Sequence, residues 1–445
     1  MKARLQQGRL KFVLASATGL AAILSLAHSA RASGFGLREG AADWMGNAFA
    51  GDVAKGYDPS TSWSNPAGMA LLQDSQVEGA VSYIAPNAQF SGRATDPLTG
   101  TDVAGTQSGN SVAAAASGGL YGVYALAPDW RIGLSLTAPY GQRTSYAGDW
   151  VGRYQSLVSS ITDINLGLAV SYKVNDQLSI GGGPNFDYFD ARLTQNLNVP
   201  VLSALTGQNP WADTHGNSLG VGFNLGLMYQ FDPETRIGLD YRSRIRHNIT
   251  GEQKITVPAI YSLLSPETAA LLGAANSAAT TSITLPDSLD MGIYHQVTPQ
   301  LALLGSVQWT DWSVLKSLNI TPTNGTPGTV IQENWRNTWF VGAGVNYQLL
   351  SNLLLQTGFA YDESPVTNSN RTPRIPDADH YDLGFGAQYQ VLPSTNLQLA
   401  YLHVFSPGGS VNSTASATPP TPSGTLIGNY TVSDNSVTLG VVVKF

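Results

Sequence analysis

Along most of this chain, apolar and polar positions alternate one for one. In Asp163 to Val174 the even positions are Ile164, Leu166, Leu168, Val170, Tyr172 and Val174, and the odd ones Asp163, Asn165, Gly167, Ala169, Ser171 and Lys173. Side chains two apart share a face of an extended strand, so this period predicts a strand with one apolar wall. Similar segments recur from Gln76 to Ile84, through Arg236 to His247, to Val437 to Phe445, about fourteen in all. The connections alternate too. Pro128-Asp129, Asn175-Asp176, Asp232-Pro233, Thr298-Pro299, Leu350-Ser351 and Pro393-Ser394 read as tight turns, and long Gly/Pro/Ser/Thr-rich segments fall between them. The long segments include Pro86 to Gly118, Pro139 to Ser160, Thr250 to Thr284 and Glu363 to His380. Short periplasmic turns and long extracellular loops are the signature of a transmembrane barrel; a soluble β-sandwich does not need them. The predicted fold is therefore all-β, a transmembrane antiparallel β-barrel of about 14 strands over residues 73–445. Within the loop Thr250 to Thr284, the apolar stretch Ala259 to Ala275 is expected to form a short amphipathic helix outside the membrane.

The amino terminus supplies the address. Lys2, Arg4, Arg9 and Lys11 precede an apolar stretch from Phe12 to Ala27, and Ala30-Arg31-Ala32 is an A-x-A cleavage site, so residues 1–32 read as a signal peptide. As a membrane anchor the stretch falls short of the roughly 20 residues a spanning helix needs. Cleavage removes five of the 23 basic residues, leaving 18 Lys and Arg against 30 Asp and Glu, a net charge of −12. Such a chain is not built to bind nucleic acid. Charged residues are only 12% of the chain and cysteine is absent, so neither a typical soluble enzyme nor a disulfide scaffold fits. A closed barrel satisfies every backbone group in lipid without disulfides. The expected location is the outer membrane of a Gram-negative bacterium, and the expected state is a monomer in contact with lipid and lipopolysaccharide.

One apolar stretch belongs to no strand. Ser33 to Leu72 contains Trp44, Met45, Phe49, Tyr57, Trp63 and Asn65-Pro66-Ala67, and is expected to form a hatch, or plug, inside the barrel over residues 33–72. Here the chain resembles the FadL-type outer-membrane transporters of long-chain fatty acids and other hydrophobic compounds. Ser33-Gly34-Phe35-Gly36-Leu37-Arg38-Glu39 is similar to that family's mature amino terminus, and Asn65-Pro66-Ala67 to its hatch motif. Pro139-Tyr140-Gly141, Tyr241-Arg242-Ser243, Leu285-Pro286, Tyr361-Asp362-Glu363-Ser364-Pro365, Asn370-Arg371 and Ile375-Pro376-Asp377 follow in the family's order. The resemblance implies gating by Asn65, Pro66 and Ala67, and a kinked third strand whose Pro139, Tyr140 and Gly141 open a lateral exit. It also implies passive diffusion without cofactor or metal. Proline lacks a ladder donor and glycine a side chain, which suits such a corner; an ordinary strand end entering a loop is the competing reading.

The seventh strand, read straight through, puts Ile237, Leu239, Tyr241 and Ile245 toward lipid and Asp240, Arg242, Arg244 and Arg246 toward the lumen. Asp290 and Asp362 join them as lumen charges. These groups either pair to hold the hatch or meet a substrate head group bidentately. The family resemblance implies head-group bases on the fifth and tenth strands, for which Arg192 and Arg336 are the candidates, while Gln195 stands where a base would be expected. Trp130, Trp150, Tyr154, Trp309, Trp312, Trp335 and Trp339 fit interfacial girdles.

No catalytic residue is assigned. The five histidines after the signal are His215, His247, His295, His380 and His403, without metal-ligand spacing, and no H-E-x-x-H or G-x-S-x-G occurs. A barrel-embedded lipase would need a Ser and His on the outer wall. The expected function is passive uptake of long-chain fatty acids or other hydrophobic compounds, with capture in apolar pockets and sideways exit. An aromatic-hydrocarbon channel of the same family, or a general porin or adhesin barrel, is the alternative.

Overall fold

The computed structural model describes residues 34–97, 99–414 and 423–445. The signal expected over residues 1–32 lies outside the described residues, as does Ser33. Fourteen antiparallel wall strands form one closed barrel. They are β1 (Gln76–Thr95), β2 (Ala115–Ala127), β3 (Trp130–Thr137, resuming at Gly141–Ser145), β4 (Val158–Lys173), β5 (Leu178–Asn196), β6 (Trp211–Gln230) and β7 (Thr235–Arg242 and Ile245–Thr256). The rest are β8 (Ser277–Leu285 and Ser288–Gln296), β9 (Leu301–Thr310 and Ser317–Pro322), β10 (Thr329–Gln332 and Thr338–Leu350), β11 (Leu353–Asp362), β12 (His380–Leu392), β13 (Thr395–Phe405 and Gly409–Thr414) and β14 (Thr425–Lys444). β1 closes the ring on β14, in register from Gln76↔Lys444 to Thr95↔Thr425.

The period-two pattern explains the wall. In β14, Ser436, Thr438 and Gly440 turn inward while Val437, Leu439 and Val441 turn out, where Leu439 is 61% exposed and has only lipid to cover it. β1 is longer than its alternation from Gln76 to Ile84 suggests and takes in residues assigned above to a loop. Beyond Ile84 the ladder to β2 ends and only isolated bridges, Gln89↔Asn110 and Thr95↔Asp102, follow on that side, so Pro86 sits at an edge-like position where it is tolerated.

The hatch comprises α1 (Ala42–Gly46), α2 (Asp52–Lys55), α3 (Thr61–Ser64) and a 3-10 turn, Pro66–Leu71. Left-handed glycines Gly51 and Gly56 bracket α2. Trp44, Met45 and Phe49 pack on Tyr121, Phe340 and Leu402 of the wall. Wall glycines let the backbone of the hatch come this close: a Cβ on Gly238 would lie 1.8 Å from the Val53 carbonyl oxygen, and one on Gly181 2.6 Å from Pro66. Outside the wall, the expected loop helix is two helices, α5 (Ala259–Leu264) and α6 (Pro266–Gly273), which follow α4 (Pro200–Thr206) in chain order. Pro266 starts α6 as its first residue, which splits the helix.

Four of the seven aromatics expected in interfacial girdles are elsewhere. Trp130 and Trp339 are exposed, but Trp150, Tyr154, Trp312 and Trp335 are buried. Trp312 and Trp335 lie in the interruptions of β9 and β10, where the strand period no longer dictates which way they point.

Candidate functional site

Breaks in the wall divide the lumen. Between Asn224↔Arg242 and Asn217↔Thr250, β7 carries one more residue than β6, a bulge at Ser243 and Arg244. One extra residue reverses the facing of everything beyond it. Ile245, His247 and Ile249 are therefore buried inward, while Arg244 and Arg246 are exposed, opposite to the facing expected from an unbroken strand. Arg244 pairs with Asp287 at 2.8 Å and Asp311 at 3.2 Å, acids in the interruptions of β8 and β9. The upper lumen gains an apolar lining as a result.

That lining borders a partly open cavity whose walls include Ile161, Phe189, Ile249 and Ile283, with Phe35 as its floor. Its polar end is built by residues that sequence periodicity could not select. Arg374, in the β11–β12 loop, and Glu333, between the two parts of β10, both line it and are both buried. Arg374 Nη1 donates to Ser159 Oγ at 3.1 Å and Nη2 donates to Gln195 Oε1. Burial lowers the Arg374 guanidinium to about 10, against the pull of Glu333, and burial raises Glu333 to about 7. Gln195 thus holds a base delivered by a loop.

Below Phe35 the amino-terminal segment fills the interruption of β3. Leu37 N donates to the Pro139 carbonyl and Gly141 N to the Phe35 carbonyl, each at 2.8 Å, with Gly36 bridged to Tyr140. Phe35 packs edge-on to Trp312 at 5.0 Å and to Tyr140 at 5.7 Å, and Gly34 N donates to Asp377 Oδ2 at 2.8 Å. The β2–β3 ladder lapses here: it stops at Gly119↔Thr137 and returns only at the isolated bridge Val112↔Thr144. A second, partly open space lies under the segment between hatch and wall, beside Pro139, Tyr140, Arg38 and Arg242.

The lower hatch is tied by buried polar groups. Asn65 Nδ2 donates to the carbonyls of Val53 at 2.7 Å and Leu227 at 3.1 Å, while Asn65 Oδ1 caps the 3-10 turn through Ala67 N at 3.1 Å. Pro66 opens that turn, and the Ala67 carbonyl accepts from Ser179 Oγ at 2.9 Å. Lys55 Nζ lies 3.2 Å from Asp43 and 3.3 Å from Asp52. Arg242 donates to the Trp63 carbonyl at 2.6 Å, stacks 3.6 Å over that indole and lies 3.7 Å from Asp240, which is paired in register with Asp290. Asp362 accepts from Arg38 at 3.2 Å. Arg242, Asp240 and Asp362 thus contact the hatch or partners that do.

The two head-group candidates stand apart from the cavity. Arg192 makes a bidentate pair with Asp213 at 2.9 and 2.7 Å on the outer face of the wall, and Arg336 pairs with Asp379 at 3.1 Å, both about half exposed. Arg192 falls outside because its neighbours Ala191 and Leu193 are the ones lining the cavity.

An outer membrane protein P1 of Haemophilus influenzae (strain ATCC 51907 / DSM 11121 / KW20 / Rd) is 28% identical over 416 residues, 86% of this chain and 88% of its own. A long-chain fatty acid transport protein of Salmonella typhi is 26% identical over 397 residues, 86% and 90% of the two chains. Among solved structures, the fold is similar to a Pseudomonas aeruginosa FadL homologue, with TM-score 0.84 and 24% identity over 93% of this chain and 100% of that one. It is also similar to the Ralstonia pickettii toluene transporter TbuX, with TM-score 0.63 and 17% identity over 92% and 99%. The model of the family described as outer membrane protein transport protein (OMPP1/FadL/TodX) matches residues 23–445, and this outer-membrane barrel belongs to that family.

Proposed function

We propose that the protein lets hydrophobic compounds, long-chain fatty acids foremost, diffuse passively into the cell by capture in the upper cavity and lateral exit at the β3 interruption. The observation that carries this reading is the floor: the segment that closes the apolar cavity is the one bonded into the gap between β2 and β3. A greasy ligand gains roughly 25 cal/mol per Å² of surface taken from water, which an open aqueous pore does not supply. Movement of Gly34 to Leu37 would join the cavity to the space beside Pro139, Tyr140 and Gly141. Relatives named long-chain fatty acid transport proteins support the substrate class.

The chain has no cysteine, so Gly36→Cys with Tyr140→Cys can lock the segment onto β3 without side reactions. Uptake of labelled oleate by cells is expected to fall several-fold in the oxidised protein and to recover on reduction, with binding by the purified barrel retained. Undiminished uptake with the cross-link verified would exclude this exit route.

A further inference from the structure

Arg374 and Glu333 are two opposite charges buried at one end of an otherwise apolar cavity. Burying a charge is costly unless something compensates it. The hydrogen-bond acceptors on the Arg374 guanidinium are neutral oxygens, of Ser159 and Gln195, and Glu333 is the acid that acts on it. Glu333 in turn accepts from Trp335 Nε1 at 3.0 Å, which leaves its carboxylate tethered to an indole beside the cavity. Gln142 Oε1, on the same wall, is buried without a partner. The cavity is thus electrically balanced when empty, and a carboxylate ligand would add a second anion to one cation.

We propose that Glu333 is a built-in stand-in for a ligand head group: a carboxylate amphiphile takes over the field of Arg374, and Glu333 gives up its charge by accepting a proton from water. This rests on the upper cavity being the capture site. The step balances as one ligand anion and one proton bound together, the proton residing on a Glu333 oxygen. The unused guanidinium donors suit a carboxylate, which can accept two of them in parallel. A neutral ligand of the same chain length leaves the charges of Arg374 and Glu333 as they are and takes up no proton. The other titratable group facing Arg374 is the Tyr146 hydroxyl, which donates to the Pro373 carbonyl at 2.6 Å; the His215 side chain, across from Arg192 in register, is exposed on the outer face and held by Asp190 at 2.8 Å.

The test compares a long-chain fatty acid with the alcohol of equal length, each bound to the purified full-length barrel between pH 6 and 8.5. In the parent protein the acid is expected to bind several-fold tighter at the lower pH, and the alcohol equally throughout. Glu333→Gln should bind the acid tightly at every pH. Arg374→Gln should lose about tenfold for the acid while changing the alcohol by less than about twofold. Arg374→Lys, which keeps the charge, should recover much of that loss and guards against a folding defect. If Arg374→Gln weakens acid and alcohol alike, or acid binding keeps its pH dependence in Glu333→Gln, this inference is overturned while capture in the cavity stands. If neither ligand competes for the cavity, the capture reading and this one fall together.

Discussion

The lower hatch and the amino-terminal segment above it are both plugs, yet they are fastened by different physics. From Ala42 to Leu71 the hatch is held by buried charges and amides, within itself and against the wall: Lys55 between Asp43 and Asp52, Asn65 on the carbonyls of Val53 and wall residue Leu227, and wall residue Arg236 Nε on the Ala54 carbonyl at 2.6 Å. Removing any one partner strands another in a dry interior, which makes this region hard to move. From Gly34 to Leu37 the chain is held by a few backbone bonds, one bond from Gly34 N to the Asp377 carboxylate and a stack of rings. Backbone bonds can be exchanged for water, and rings can slide onto a ligand at little cost. On the proposed function, the contrast would separate a part that keeps the barrel shut to ions from a part suited to yield when the cavity fills.

The strongest way to break the contrast is to unbalance the lower hatch. Lys55→Met leaves Asp43 and Asp52 buried without their cation, a loss of about 3–5 kcal/mol by analogy with other buried pairs. Urea unfolding in detergent is expected to show it, together with raised ion conductance across planar bilayers. Parent-like stability and conductance would mean that the hatch is held by its apolar contacts alone. A smaller effect is expected above. Phe35→Ala removes the cavity floor and its ring contacts, so affinity for hydrophobic ligands should fall about tenfold, since burial of a large side chain is worth a few kcal/mol. Conductance should stay low, because the lower hatch is untouched.

Much of this architecture was legible because a strand wall repeats. The alternation of Asp163 to Val174, the six tight turns and the apolar composition of the residues before β1 all follow from local rules that the barrel obeys. What escaped sits where those rules stop. Ser243 and His247 are polar residues at positions that alternation assigns to lipid, a faint mark of the bulge that turns Ile245 inward and Arg246 outward. Arg374 lies in a loop between recognisable motifs, with no period to say which way it points. It meets Ser159 and Gln195 only because β4 and β5 come back beside that loop in space.

Acidity sharpens the comparison further. Burial raises Glu333 from its usual 4.5 to about 7, so its contribution to stability is fully present below pH 4.5 and is lost as pH rises through 7. Amide exchange around residues 333–337 is therefore expected to quicken from pH 6 to pH 8, beyond the intrinsic base catalysis of exchange, while the lower hatch changes no more than that catalysis requires. Glu333→Gln should remove the extra quickening. An equal response in both regions would point to a general loosening of the barrel.

The smallest effect is expected from the two arginines that strand position alone would select. Arg192 is 46% exposed on the outer face and already pairs with Asp213, so solvent screens it and the pair is worth no more than about 1 kcal/mol. Arg192→Glu would set two acids side by side at that site without altering the cavity, whose walls there are Ala191 and Leu193. Acid and alcohol ligands should therefore keep the ratio of affinities they have in the parent protein, in contrast to Arg374→Gln. A selective loss of the acid in Arg192→Glu would place the head group at the outer wall. It would also make the apolar cavity a passage taken after capture, and the yielding segment below it a gate that the head group never touches.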